Sequence, residues 1–145
     1  MRSLPSCFLV GRTMISAILE DRMEETGLSA VDGLVLRAVS LNRALSAGDI
    51  RDSFALPPSS VTRVVDRLTE RRLARRDADV EDGRLVMVRL TGPGKTVADM
   101  VDDAIRELER EIGEQAGSAV SGIDTVVDAI ELIGPRDRGL RRRHW

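Results

Sequence analysis

The stretch from Pro57 to Leu90 constrains this chain most, because its apolar period changes partway along. Between Pro58 and Arg72, Val61, Val64, Val65 and Leu68 recur at the spacing of one helical face. The opposite face carries Ser59, Ser60, Thr62, Arg63, Asp66, Arg67 and Arg71. Pro58 suits the first turn of such a helix, where a missing N–H costs nothing. Beyond Arg72 the pattern becomes β-like. Leu73 to Asp77 and Leu85 to Leu90 read as two short strands, and the polar, turn-rich Ala78-Asp-Val-Glu-Asp-Gly-Arg84 between them makes the pair a hairpin with a longish loop.

The flanks are helical. Val10, Met14, Ile18 and Leu19 predict a helix from about Phe8 to Thr26, with Gly27 just past its end. A second helix, Ser29 to Leu41, takes Ser29 as N-cap and buries Val31, Leu34, Val35, Ala38 and Val39. Ser46-Ala-Gly-Asp49 has the form of a capping box with Asp in the Glu or Gln place. It opens a short helix, Ala47 to Phe54, that buries Ile50 and Phe54. Ala55-Leu56-Pro57-Pro58 must then turn, because a proline disfavours helix at the residue before it. Downstream, Thr91-Gly-Pro-Gly94 starts a long helix of about Pro93 to Gln115, apolar at Val97, Met100, Val101, Ala104, Ile105, Leu108 and Ile112. Gly113, Gly117 and Gly122 interrupt the pattern before a last helix, Ile123 to Ile133, which Gly134-Pro135 stops. The fold class is therefore mainly α with a small antiparallel β-wing (α+β).

Charge and rare residues exclude several functions. One cysteine precludes an internal disulfide framework, and one histidine, His144, precludes a His-based metal cluster or a two-histidine triad within one chain. Neither a metal nor another cofactor is expected, and no enzymatic constellation is present. The net charge of −2 hides an uneven distribution. Eight arginines face six acids from Ser59 to Leu90, ten acids face two arginines from Asp99 to Glu131, and five arginines face one acid after Gly134. A near-neutral total is compatible with one basic face for nucleic acid. Of the 22 basic residues only Lys95 is lysine, and arginine is the better donor for bidentate phosphate and guanine contacts. No apolar run approaches the ~20 residues of a membrane span, and the broken apolar start lacks a cleavage site, so the expected location is the cytoplasm with Cys7 reduced.

A short helix, a turn, an amphipathic helix and a hairpin, in that order, make a helix-turn-helix with a β-wing. In such a unit the second helix enters the major groove. Its outer face then presents Ser60, Arg63 and Arg67 along one line and Ser59, Thr62 and Asp66 along another. Small hydroxyls at the N-terminal end allow close approach and reach phosphate oxygens or base edges. Arg63 is the foremost candidate for a guanine or phosphate contact. Asp66 orients a neighbouring arginine, since phosphate repels it. Taken alone this helix equally fits a surface helix with solvated charges; the hairpin behind it tips the reading.

Four segments carry a more specific signal: Leu45-Ser-Ala-Gly-Asp-Ile50, Leu56-Pro-Pro-Ser-Ser-Val-Thr-Arg-Val-Val-Asp-Arg-Leu68, Leu73-Ala-Arg-Arg76 and Asp79-Val-Glu-Asp-Gly-Arg-Leu-Val-Met-Val-Arg-Leu-Thr-Gly-Pro-Gly94. In this order they closely resemble the MarR-type winged helix-turn-helix regulators, strongly over about Leu28 to Lys95. The resemblance implies a homodimeric transcription factor, often a repressor of a pseudo-palindromic operator, released by a small-molecule effector or by oxidation. Its partners would be double-stranded DNA, a second copy of the chain and an effector, and its place the nucleoid when bound. It implies N-terminal dimerisation residues 1–27, a DNA-binding domain 28–95 (helix-turn-helix 46–72, wing 73–90), C-terminal dimerisation helices 96–134 and a basic, disordered tail 135–145. In the wing it assigns Asp82 as a loop brace and Arg84 as the minor-groove arginine, with Arg75 and Arg76 on the strand behind. The arginine usual between them is Gly83 here, which removes a phosphate contact. Ala55 stands where the family often has a turn glycine.

Other features compete less well. Gly94-Lys95-Thr96 mimics a phosphate-binding loop, but the glycine needed five residues earlier is Arg89. Cys7 resembles the sensor position of the family's peroxide-sensing branch, without that branch's tyrosines; a buried cysteine of this kind is inert. A redox regulator using Cys7, and a winged-helix protein-interaction module with weak or no DNA binding, stay open as alternatives. The acidic wing and Gly83 motivate the latter.

Overall fold

The computed structural model describes residues 3–133. Its elements are α1 (Leu4–Arg22), α2 (Ala30–Asn42), β1 (Leu45–Ser46), α3 (Ala47–Phe54), α4 (Pro58–Glu70), β2 (Ala74–Ala78), β3 (Val86–Leu90), α5 (Gly92–Ala116) and α6 (Ile123–Ile133), with 3-10 turns at Glu24–Thr26 and Gly117–Gly122. The helical winged architecture expected from the sequence is present, and the expected basic tail 135–145 lies outside the described residues.

Local chemistry sets the boundaries. Ser29 caps α2 by accepting the Asp32 N–H at 3.2 Å. Ser46 and Asp49 form a complete capping box on α3, with Asp49 Oδ2 accepting the Ser46 N–H at 3.0 Å and Ser46 Oγ accepting the Asp49 N–H at 3.1 Å. Helix α1 differs from expectation at both ends. It starts at Leu4, because Ser3 caps it and Pro5 fits its first turn. It stops at Arg22, because Thr26 Oγ1 donates to the Met23 carbonyl and accepts the Leu28 N–H, favouring a 3-10 turn that Gly27 closes at φ +61°.

The sheet holds three strands in the order β1-β3-β2, not two. Leu45 and Ser46 pair with Val88 and Met87, and a two-residue strand is too short to show any period in sequence. Helix α4 ends two residues early. Arg72 takes a left-handed conformation (φ +59°) and its N–H turns to the Thr69 carbonyl. Thr91 then ties the junction together. Its Oγ1 donates to the Arg72 carbonyl at 2.7 Å while capping α5 through the Gly94 N–H at 3.0 Å. Gly94 is required there: a Cβ would lie 1.8 Å from the Leu73 carbonyl oxygen.

The core gathers Val35, Leu36 and Val39 of α2, Ile50 of α3, Val61, Val64, Val65 and Leu68 of α4, Val88 of β3, and Val101, Ile105 and Leu108 of α5. Phe54 and Leu34 are only half-buried, and Val31 faces outward because α2 turns Asp32, Gly33 and Leu36 inward. Much of α1 stays uncovered: Leu19 is buried, whereas Val10, Met14 and Ile18 of the same expected stripe are exposed, as are Leu4, Phe8 and Leu9. Cys7 is exposed as well, against the expectation of a buried thiol. Helix α6 buries no residue within the single chain, with Leu132 82% and Ile133 85% exposed.

Two ion pairs fasten the outer helices. Arg22 grips Glu111 through both carboxylate oxygens, at 2.6 and 3.3 Å, joining α1 to α5. The Arg37 Nε bond to Asp102 at 2.6 Å joins α2 to α5. These hydrogen bonds hold both carboxyls below their usual range, against the opposing effect of desolvation. No helix among the described residues is long and apolar enough to cross a membrane.

Ala55 closes α3 at φ +49°, ψ +39°. An L-residue with a Cβ is strained there and glycine is not. Ala55→Gly is expected to stabilise the fold by about 0.5–1 kcal/mol, after allowing for glycine's freer unfolded state. Urea unfolding midpoints at unchanged m value measure it, and a destabilised variant would refute the strain at this turn.

Candidate nucleic-acid interface

Helix α4 has a dry side and a wet side. Val61, Val64, Val65 and Leu68 are buried, whereas Ser59, Thr62 and Arg63 are exposed and Ser60 is half-buried. Pro57 occupies the N-cap and offers no side-chain hydrogen bond, so the amide end of the helix is not closed by a cap. Thr62 Oγ1 donates back to the Pro58 carbonyl at 3.1 Å, leaving its lone pairs outward. Arg63 has no ion-pair partner among the described residues.

Arg67 behaves differently from Arg63. Its Nε and Nη2 donate to Asp32 Oδ2 and Oδ1 at 2.8 and 2.6 Å, a bidentate clamp on a buried carboxylate at the start of α2. That hydrogen bond, the largest of several causes, raises the Arg67 pKa further. One turn on, Arg71 donates to the carbonyls of Thr26 and Gly27. Two successive guanidinium groups thus fix the far half of α4 to the α1–α2 corner. Arg67 therefore points along the protein rather than outward beside Ser60 and Arg63.

Asp66 does orient an arginine: it accepts from Arg76 Nη2, linking α4 to β2. On the other side of β2, Arg75 pairs with Asp77 at 3.0 Å. The wing loop is held by two aspartates. Asp82 Oδ1 accepts the Arg84 N–H at 3.0 Å, and Asp79 accepts the N–H groups of Val80 and Asp82 at 2.9 and 3.3 Å. Arg84 itself is exposed, with no ion-pair partner among the described residues. At Gly83 a Cβ would meet nothing within 4 Å, so the backbone does not demand glycine there.

The arrangement brings Ser59, Thr62 and Arg63 onto one exposed helix face. Arg84 stands on the braced loop, while Arg67 and Arg76 are engaged in holding α4. Sequence reasoning missed Asp32, Arg71 and the bracing role of Asp79. A first-turn aspartate reads as an ordinary cap charge, and only the i, i+4 spacing of Arg67 and Arg71 hinted at a shared anchor.

Known proteins share this fold. A MarR family model matches residues 26–85. The HTH-type transcriptional repressor MdtR of Bacillus subtilis (strain 168) is 28% identical over 74 residues, 51% of this chain and 48% of its own length. The chain thus spans about half the length of the curated relative it matches. Among solved structures, the S. aureus MepR–DNA complex aligns with a TM-score of 0.78 at 14% identity, covering 90% of this chain and 99% of that one. A mutant MarR from E. coli complexed with operator DNA aligns at 0.73 and 17%, covering 88% and 94%. At such identities these structures share the fold.

The Asp32–Arg67 clamp yields a stability test. Asp32→Ala and Arg67→Ala are each expected to destabilise the chain. A double-mutant cycle should give a coupling of about 1–2 kcal/mol, discounted because Arg67 is partly solvated. Chemical denaturation measures the cycle, and a coupling near zero would show that the two side chains do not depend on each other.

Proposed function

We propose that the chain, whose residues 26–85 match a MarR family model, is a homodimeric, sequence-specific DNA-binding regulator of transcription, acting as a repressor. The observation that carries this reading is the outer face of α4. Small hydroxyls at Ser59 and Thr62 flank Arg63, which has no ion-pair partner among the described residues, beside a helix end without a side-chain cap. In a major groove Arg63 would meet guanine or phosphate, and Ser59, Ser60 and Thr62 would meet phosphate oxygens or base edges. Arg84 would enter the adjacent minor groove, where width and negative potential favour arginine. Asp82 and Asp79 stiffen its loop; Arg67, Arg75 and Arg76 support the frame.

The reading needs a second copy. Both α1 and α6 leave apolar side chains exposed in the single chain, and a two-fold pairing through these helices would cover them. Such pairing sets the recognition helices about one DNA turn apart, ~34–36 Å. A small-molecule effector belongs to the reading as a modulator of that spacing. One observation favours the second reading, a protein-interaction module: the wing carries Asp77, Asp79, Glu81 and Asp82 beside the single loop arginine Arg84, and Val80 at its tip is 91% exposed.

A mobility-shift assay on the DNA upstream of the chain's own gene, at low and physiological salt, separates the two. The proposed function predicts a specific complex whose affinity falls steeply with salt. Arg63→Ala and Arg84→Ala are each expected to weaken it about tenfold while sedimentation still reports a dimer. Wild-type affinity in both variants would sink the site assignment. No shift at either salt would leave the interaction-module reading standing.

The pairing surface has its own test. Leu9→Glu combined with Met14→Glu places charge on the exposed α1 face and is expected to give monomers in analytical ultracentrifugation, with specific DNA affinity lost. A persistent dimer would place the interface elsewhere.

A further inference from the structure

A concavity of about 540 Å³ lies at the root of the wing, where the end of α2, the strand pair and the start of α5 meet. Side chains alternate along β2, so Arg76 faces α4 through Asp66 while Arg75 faces the opposite way, into this concavity. Arg89 sits directly across from Arg75 in the strand register. Two like charges in that position repel, and both lean on the same carboxylate, Asp77, at 3.0 and 3.6 Å. Arg43 of the α2 end and Lys95 of α5 complete the walls. Both are exposed, and neither has an ion-pair partner among the described residues. Arg43 holds its place at φ +63°, a left-handed conformation that glycine adopts at less cost.

The charge balance is specific. Asp99 is the carboxylate in the lining, and Asp77 stands beside it. Four cations against two carboxylates leave an excess of two positive charges, contributed from four separate elements. We propose that this concavity binds a small phosphorylated metabolite through its phosphate monoester. A phosphate monoester carries about −1.5 to −2 charges near pH 7 and three acceptor oxygens, which matches both the excess charge and the guanidinium forks of Arg75 and Arg89. The volume falls within the roughly 300–1,000 Å³ of small-molecule sites, leaving room for the ester's organic part. Bound phosphate relieves the Arg75–Arg89 repulsion and ties the wing strands to α2 and α5. The site is distinct from the DNA-facing residues, and its occupancy does not rest on the DNA-binding reading.

Inorganic phosphate titrated into the full chain at constant ionic strength, with chloride as the exchanged anion, tests the site through backbone amide NMR. Saturable shifts at Arg43, Arg75, Arg89 and Lys95 are expected. The Arg43→Asn, Lys95→Gln double variant should bind phosphate at least about tenfold more weakly. Asn keeps the left-handed turn accessible at position 43. Lys95→Gln alone alters one exposed side chain and should weaken binding several-fold if the double variant fails to fold, while Lys95→Arg should retain binding. The same variants in chloride should hold DNA within about threefold of wild type, since they remove charge away from the duplex. Absence of saturable phosphate binding, or equal binding by wild type and Lys95→Gln, overturns the proposal. So does a loss of DNA affinity parallel to the loss of phosphate affinity, which would make the concavity a clamp for backbone phosphate. A wild-type chain that binds phosphate here but no DNA supports the pocket and counts against the regulator reading alone.

Discussion

The placement of α4 depends on the bidentate bond between Arg67 and the buried Asp32. An apolar stripe alone holds a helix against a core but lets it roll or slide, because dispersion and burial have little directionality. A planar guanidinium meeting a carboxylate at two oxygens fixes both rotation and register. Arg71 repeats the constraint one turn later on the carbonyls of Thr26 and Gly27, and Arg76 adds a third point through Asp66. The helix is thereby held along its length by directional bonds on its flanks, while its outer face is left unencumbered. Asp32 tolerates burial because both of its oxygens are engaged.

Two groups of arginines contrast among the described residues. Arg22, Arg37, Arg67, Arg71 and Arg76 join one element to another. Arg43, Arg63 and Arg84 stand in solvent with no ion pair among the described residues. A single net charge cannot express that division. The acids are concentrated on α5, where Asp102 and Glu111 receive Arg37 and Arg22 of the first group, and the second group has no internal carboxylate among the described residues. This is how a sequence of nearly balanced charge builds strongly cationic points at two ends of one winged unit.

Much of the fold was legible because several local signals agreed. The stripe of Val61, Val64, Val65 and Leu68 fixed α4, Ser29 and the Ser46–Asp49 pair fixed two helix starts, and Asp66 was recognisable as the partner of an arginine. What escaped was non-local. Strand β1 has two residues and exists through its pairing with Met87 and Val88. The reach of Arg67 to Asp32 depends on a carboxylate 35 positions away. The outward-facing α1 stripe is apolar at helical spacing, and spacing alone cannot say whether the covering surface belongs to the same molecule. The candidate residues divide the same way: the exposure of the α4 face and of Arg84 follows from local sequence, whereas the concavity at the wing root arises from residues distributed between positions 39 and 99.

Thr91 gives this architecture a mechanical property. Its one hydroxyl donates to a carbonyl just past α4 while accepting the Gly94 amide in the first turn of α5, and Gly94 lets the two backbones touch. With no slack at that knot, the long helix acts as a tiller. A few degrees of swing at its distant end would be delivered to α4 as a change of heading, not absorbed in a compliant joint.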